Sequence, residues 1–241
     1  SSATTALYLS LLLLGIKKGD EVIVPSFTFI ATANVVMQAG AIPVFVDIDY
    51  GTLNINPGLI EEKITKKTKA IIPVDYVGIP CDMNKINEIA KASNLFIVED
   101  AAAALGSEYK GKKIGSLADI TCFSFHARKI ITTGEGGMIT TSNKKYSHDA
   151  KILRHHGMSV SDLIRHRAKK IIHETYPKVG YNFRMSDIEA AVGVAQMKKI
   201  DIKTLMICLS DAIRAHLRLL NRFLAANVKH FQTLRGQCAS H

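Results

Sequence analysis

The segment that decides the fold and chemistry of this chain is Cys122-Phe123-Ser124-Phe125-His126-Ala127-Arg128-Lys129-Ile130-Ile131-Thr132-Thr133-Gly134-Glu135-Gly136-Gly137. An apolar run opens it, a serine precedes a lysine by five residues, and a glycine-rich turn follows. Upstream, a second apolar run ends on an acid, in Leu95-Phe96-Ile97-Val98-Glu99-Asp100. In both segments the polar side chains directly follow a short apolar run of the kind that forms a buried strand.

The surrounding sequence alternates helical and strand patterns over the first 145 residues. Periodicity predicts helices over 5–15, 28–39, 57–64 and 83–92, and strands over 21–25, 42–46, 70–74, 95–98, 120–125 and 137–141. Short apolar strands separated by helices predict an α/β fold with three α/β/α layers and a mostly parallel central sheet. Ligands of such sheets bind at the carboxyl ends of strands, where Asp100 and the 124–129 segment lie.

The pattern changes after Tyr146. Basic, helix-prone sequence continues to Lys170, a helix of small residues is predicted over 188–197, and an amphipathic helical stretch covers 202–228. We therefore expect one large domain over 1–201 and a divergent helical tail over 202–241.

Composition limits the classes of function. The chain has 241 residues, of which 47% are apolar, and a net charge of +10. The lysines are dispersed rather than clustered, which argues against a nucleic-acid partner. The four cysteines form no CxxC pair, so neither a disulfide framework nor a metal site is predicted, and a reducing cytoplasm is expected. The apolar stretch 6–16 is shorter than the roughly 20 residues that span a bilayer, so no membrane association is expected.

Lys129 and Asp100 are the candidate chemical groups. An amine attacks an aldehyde only when neutral, so Lys129 would need a pKa lowered by burial or by positive charge such as that of Arg128. A carboxylate at Asp100 would keep a pyridine nitrogen protonated. The pair favours a pyridoxal 5'-phosphate (PLP) site. The alternatives are an ordinary exposed lysine and an aspartate that caps a helix.

Three other groups are weaker candidates. The hydroxyls and N–H groups of Ser1-Ser2-Ala3-Thr4-Thr5 precede the first helix and suit a phosphate, and Ser124 would add a hydroxyl from a strand end. Phe29 would stack on a cofactor ring or pack in the core. His126 is either a general base or a structural histidine.

Five blocks of sequence resemble the DegT/DnrJ/EryC1/StrS family of PLP-dependent sugar aminotransferases, which have the type I, aspartate-aminotransferase fold. They match in order and spacing over residues 1 to about 201: Ser2-Ala3-Thr4-Thr5-Ala6-Leu7, Pro25-Ser26-Phe27-Thr28-Phe29-Ile30-Ala31-Thr32, Val98-Glu99-Asp100-Ala101-Ala102, 124–137, and Gly180-Tyr181-Asn182-Phe183-Arg184-Met185-Ser186-Asp187.

The resemblance implies a role for each candidate residue. Lys129 would form the Schiff base with the cofactor and move protons, and Asp100 would pair with the pyridine nitrogen. Phe29 would stack on the ring, and the hydroxyls of Thr4, Thr5 and Ser124 would contact the phosphate. Asn182 would reach the phosphate of the neighbouring subunit in a homodimer. The implied reaction moves an amino group, usually from glutamate, to a keto group of a nucleotide-linked deoxysugar.

The chain departs from the family in three places. Ala103 stands where the family usually has glutamine or histidine, so PLP binding is expected to be looser or altered. The segment before the phosphate-binding block is missing, and the resemblance stops after Asp201, where the small C-terminal domain would begin. The sequence thus leaves two hypotheses open: an aminotransferase truncated at both ends, or a truncated and catalytically inactive PLP-fold protein with a structural or regulatory role.

Overall fold

The computed structural model of the chain describes residues 1–160, 168 and 173–201. The helices are α1 (Ala3–Leu13), α2 (Ala31–Gln38), α3 (Met83–Ser93), α4 (Lys144–Leu153) and α5 (Asp187–Met197). The strands are β1 (Glu21–Pro25), β2 (Ile42–Val46), β3 (Thr68–Ile71), β4 (Phe96–Asp100), β5 (Glu108–Tyr109), β6 (Lys112–Lys113), β7 (Ile120–Ser124) and β8 (Gly137–Thr140).

The central sheet has six strands in the order β2-β1-β3-β4-β7-β8. The first five are parallel to their neighbours, and β8 runs antiparallel to β7. The predicted mostly parallel sheet is therefore confirmed. Because β3, β4 and β7 run in the same direction, their carboxyl ends meet at one edge of the sheet, and this edge carries Asp100 and Ser124.

The sheet is covered on both faces because successive residues of a strand point to opposite sides. Val22 packs with α1 and α2, whereas its neighbour Ile23 packs with α3. Val98 and Ile97 of β4 divide between the two faces in the same way. Strands that are buried on both faces must be apolar throughout, which explains why they read as continuous hydrophobic runs.

The helix predicted over 57–64 is wrong, because the structure has two short 3-10 turns there, Pro57–Leu59 and Glu61–Lys63. The side chain of Asn56 accepts the Gly58 N–H at 3.0 Å, and glycine is a poor helix former. Ile64 is already extended, with ψ of 128°. Local capping and a glycine thus outweigh a weak periodicity over eight residues.

The C-terminal prediction lies mostly outside the described part of the chain. The structure divides into two units, Ser1–Lys198 and Lys199–His241. Residues 202–241, for which a helical tail is predicted, are not among those described. Within the described residues, no helix combines the length and the apolar character that crossing a bilayer requires.

Candidate active site

The N-terminus of α1 lies at the edge where the parallel strands end. Ser2 caps the helix: its hydroxyl accepts the Thr5 N–H at 3.1 Å, and the Thr5 hydroxyl accepts the Ser2 N–H at 3.0 Å. The N–H groups of the first turn have no acceptor within their own helix, and the helix dipole gives this end a partial positive charge. Ala3 and Thr4 therefore present donors suited to an anion.

A glycine allows this helix to approach β8. A Cβ at Gly137 would overlap the carbonyl group of Ser2 and the nitrogen of Ala3, so only glycine fits where β8 begins. The glycine-rich end of the lysine segment thus has a packing role, since it lets the first turn of α1 lie against the β7–β8 pair.

A cavity of about 540 Å³ opens at this edge of the sheet. Its size falls in the range of small-molecule sites. Residues from five separate segments form its wall: Ser2, Ala3, Thr4, Leu7, Thr28, Phe29, Ala31, Val74, Asp75, Tyr76, Val77, Asp100, Ala102, Ala103, Ser124, His126, Arg128, Lys129 and Glu135.

Asp100 ends β4 and is 6% exposed. Its Oδ2 accepts the hydroxyl of Thr32 at 2.9 Å, and its Oδ1 accepts the N–H of Ala102 at 3.2 Å. Burial raises the pKa of the carboxyl, whereas these two hydrogen bonds and the charge of Lys129 act to lower it. A cation placed beside Asp100 would offset the burial and favour its carboxylate form.

Lys129 is half-buried in the turn that follows β7. Its N–H donates to the carbonyl of His126 at 2.9 Å, which fixes the backbone of the lysine. Burial lowers the pKa of its amine, the carboxyl of Asp100 raises it, and the guanidinium of Arg128 lowers it. The net effect lowers the pKa of the Lys129 amine from its usual value, which moves it toward the neutral, nucleophilic form.

Five other predicted residues divide between the cavity and its surroundings. Thr4 and Ser124 line the cavity, and Phe29 does so while remaining 73% exposed. Thr5 is not in this wall, because its hydroxyl belongs to the α1 cap and lines a neighbouring cavity. Asn182 is also outside the wall; its backbone bridges to His155, and its side-chain oxygen accepts the Nε–H of Arg184 at 3.3 Å.

Two residues of the site have no clear signal in the sequence: Thr32, which bonds to Asp100, and Asp75, which lines the cavity. Thr32 is fully buried and holds Asp100, as described above; its one signal is the i, i+4 spacing from Thr28, whose hydroxyl lies 3.1 Å from its own. Asp75 is fully buried beyond β3, and nothing in its local sequence distinguishes it from an ordinary turn aspartate.

Asp75 and Glu99 are buried carboxyls beside Asp100. Oδ1 of Asp75 accepts the N–H of Cys81 at 2.9 Å, and no described residue bonds to its Oδ2. Burial, followed by the charge of Glu99, raises the pKa of Asp75 to about 8. Burial also raises the pKa of Glu99, although the hydroxyl of Thr121 donates to it at 2.8 Å. Asp75 is therefore mainly a neutral acid at pH 7.

Three known proteins are similar to this chain over most of its length. GDP-perosamine synthase of Caulobacter vibrioides is 48% identical over 201 residues, which are 83% of this chain and 52% of that protein. The aminotransferase of Psychrobacter cryohalolentis aligns with a TM-score of 0.78 at 40% identity, over 83% of this chain and 51% of its own. Spr1654 of Streptococcus pneumoniae, in its PLP form, aligns with a TM-score of 0.73 at 39% identity, over 83% of this chain and 54% of its own.

The chain spans about half the length of these relatives. The sequence model of the DegT/DnrJ/EryC1/StrS aminotransferase family matches residues 1–225, which include every segment that forms the cavity. The chain therefore belongs to the DegT/DnrJ/EryC1/StrS aminotransferase family.

Proposed function

We propose that this chain is the cofactor-binding part of a PLP-dependent sugar aminotransferase. The observation that carries the proposal is that Lys129 and Asp100 line one cavity and each acts on the pKa of the other. Burial lowers the pKa of the amine and raises that of the carboxyl, while the charge of Lys129 and two hydrogen-bond donors oppose the effect of burial on Asp100.

The residues present fit the cofactor. The first-turn N–H groups at Ala3 and Thr4 suit a phosphate, the buried carboxyl of Asp100 suits a protonated ring nitrogen, and Lys129 suits an aldehyde. When bound, PLP supplies an aldehyde that reacts with amines and a ring that accepts electrons from the carbon that loses its proton.

Each residue then has a task of its own. Lys129, in its neutral form, would accept and return a proton at Nζ. Asp100 holds a proton at the ring nitrogen through its carboxylate oxygen. The hydroxyls of Thr4 and Ser124 would contribute to phosphate binding from the cavity wall, whereas the hydroxyl of Thr5 would act only indirectly, by capping α1. Phe29 covers the ring, which its exposed position at the cavity mouth permits.

The substrates and partner follow from the family. We propose glutamate as the amino donor and a nucleotide-linked keto-deoxysugar as the acceptor, supported by the likeness to GDP-perosamine synthase. Residues 1–201 would form the large PLP-binding domain, and 202–241 a separate helical tail. In a cytoplasmic homodimer, Asn182 would reach the neighbouring site, which agrees with its exposed position outside this chain's own cavity.

A second candidate is a PLP-fold protein without catalysis. Ala103 favours it, because this wall position has only a methyl group and cannot hydrogen-bond to a ring substituent. Such a protein would bind the cofactor weakly or serve only to pack against a partner.

The test is an absorbance spectrum of the purified chain with PLP, recorded before and after glutamate is added, beside Lys129→Ala. A long-wavelength band that requires Lys129 and is discharged by glutamate supports an active half-reaction. A band that requires Lys129 but resists glutamate supports the non-catalytic candidate. If no band depends on Lys129, both the aminotransferase and the covalent attachment of PLP are excluded for this chain.

A further inference from the structure

His126 is the centre of the turn that joins β7 to Lys129. Its N–H donates to the hydroxyl of Ser124 at 3.3 Å, and its carbonyl accepts the N–H of Lys129 at 2.9 Å. Its imidazole Nδ1 accepts the N–H of Arg128 at 3.3 Å. One residue therefore makes a hydrogen bond to the strand end, to the lysine itself and to the residue before the lysine.

The imidazole bond has the geometry of a local turn. A side-chain acceptor that bonds the N–H two residues on is the pattern that asparagine and aspartate form in Asx-turns. Here Nδ1 of His126 occupies the position of the asparagine oxygen. The bond closes a ring of backbone immediately before Lys129, so it restricts where the lysine side chain starts.

Glu135 lies near the other nitrogen of the imidazole. Its Oε1 lies 3.6 Å from Nε2 of His126, and both residues line the cavity with Lys129. An acceptor at Nδ1 requires the ring proton to sit on Nε2, and the nearby carboxylate favours that arrangement. With Nδ1 accepting from the backbone, the proton on Nε2 faces Glu135 at a distance too long for a hydrogen bond.

We propose that His126 is a positioning residue for Lys129, acting through the Nδ1 acceptor that closes the lysine turn. The inference rests on the proposed function and adds to it a residue that contacts neither the transferred group nor the proton. A positioning role predicts an effect on the lysine alone. Loss of the Nδ1 acceptor should weaken reactions that need the lysine amine in place, and should leave the phosphate and ring contacts of the cavity intact.

Two ligands separate these effects. PLP needs the Lys129 amine for its attachment, whereas pyridoxamine 5'-phosphate has the same ring and phosphate but no aldehyde. The affinity of PLP would be measured from the Lys129-dependent absorbance band, and that of pyridoxamine 5'-phosphate from ligand fluorescence. The variants are His126→Ala, His126→Asn and His126→Ser, with His148→Ala on the exposed face of α4 as the control.

The expected results follow from the loss or retention of one acceptor. His126→Ala should weaken PLP binding roughly three- to tenfold, which corresponds to one hydrogen bond, while binding of pyridoxamine 5'-phosphate changes less than about twofold. His126→Asn should restore PLP affinity, because its oxygen can close the same turn. His126→Ser, with a weaker acceptor, should fall between the two, and His148→Ala should match the unsubstituted chain.

The opposite results would overturn the inference. Unchanged PLP affinity in His126→Ala, an equal loss for both ligands, or an asparagine variant as weak as the alanine variant would each exclude a positioning role. If His126→Ala does not fold, as judged by circular dichroism, the comparison of asparagine with serine decides the question. Absence of a Lys129-dependent band in the unsubstituted chain would instead reject the proposed function, and this inference with it.

Discussion

The hydroxyl of Thr32 donates to Oδ2 of Asp100 at 2.9 Å, linking the first turn of α2 to the end of β4. Both side chains are buried, so the bond is sheltered from competing water. Thr32 thereby acts on the charge of Asp100, since a donor to a carboxylate favours its ionised form. The relationship makes a buried threonine, remote in sequence, part of the proposed cofactor site.

Thr32→Val should therefore weaken PLP binding. Valine keeps the shape of the side chain but removes the donor, which raises the pKa of Asp100 further. A hydrogen bond to a charged group contributes about 1.5–3 kcal/mol, so a loss of roughly tenfold or more in affinity is expected. A PLP titration measures it, with Thr32→Ser as the matched control that keeps the hydroxyl. Equal affinity in the valine and serine variants would contradict the assignment.

Asp75→Asn should reduce the fall in the free energy of unfolding that we expect as the pH rises. The pKa of Asp75 rises from 3.8 to about 8 on folding, so its contribution to stability is full below 3.8 and is lost as the pH rises through 8. By proton linkage this loss is about 3 kcal/mol between pH 6 and pH 9. Urea unfolding at the two pH values measures it.

In that experiment Glu99 and Asp100 titrate in both proteins, so the difference between the proteins reports on Asp75 together with its electrostatic effect on these two neighbours. The free energy of unfolding should fall more steeply with pH in the unsubstituted chain than in Asp75→Asn. Parallel falls in the two proteins would show that Asp75 is already ionised at neutral pH.

Ala103→Gln should tighten PLP binding. The wall at this position offers only a methyl group, and a glutamine amide adds a hydrogen-bonding group. One new hydrogen bond corresponds to an increase in affinity of roughly three- to tenfold. Ala103→Met, of similar length but apolar, controls for the added bulk. A titration in which Ala103→Gln leaves PLP affinity unchanged would reject the idea that Ala103 loosens binding.

Gly137→Ala should disturb both the fold and the anion site. The added Cβ overlaps backbone atoms of Ser2 and Ala3, which cannot move without displacing the first turn of α1. We expect a loss of stability of about 1–3 kcal/mol, as for other overpacked sites, and weaker binding of pyridoxamine 5'-phosphate. Gly58→Ala, in the distant 3-10 turn, is the control. Normal stability together with normal ligand affinity would show that the helix does not need this approach.

The sequence predicts most strands and helices well, because each of them is indicated by a pattern of neighbouring residues. Most parallel strands contain a short apolar run, so the predicted strands appear in the observed order and match β1, β2, β4 and β7 closely, whereas β3 begins and ends earlier than the predicted 70–74. The helix over 57–64 fails because its periodicity is short and a glycine follows its proline. Where a pattern is long and its ends carry caps, as at α3 with Asp82, the predicted and observed limits agree closely.

The candidate site is only partly visible in the sequence. Asp100 and Ser124 end strands and Lys129 follows one, so topology alone brings them to one edge. Thr32 and Asp75 reach the same edge through tertiary packing, and neither has a local pattern that separates it from a helix or turn residue. The opposite error occurs at Thr5, which the sequence predicts as a phosphate contact. Its hydroxyl bonds within the cap of α1 and does not line the cavity.

The wall of the cavity is assembled from segments that lie far apart along the chain, from Ser2 at one end to Glu135. An unfolded chain cannot present these groups together, so a ligand of the cavity binds only the folded state. Ligand at about one hundred times its dissociation constant would then add roughly 2.7 kcal/mol to the free energy of unfolding. Cofactor binding would thus also slow any proteolysis that acts on the unfolded chain.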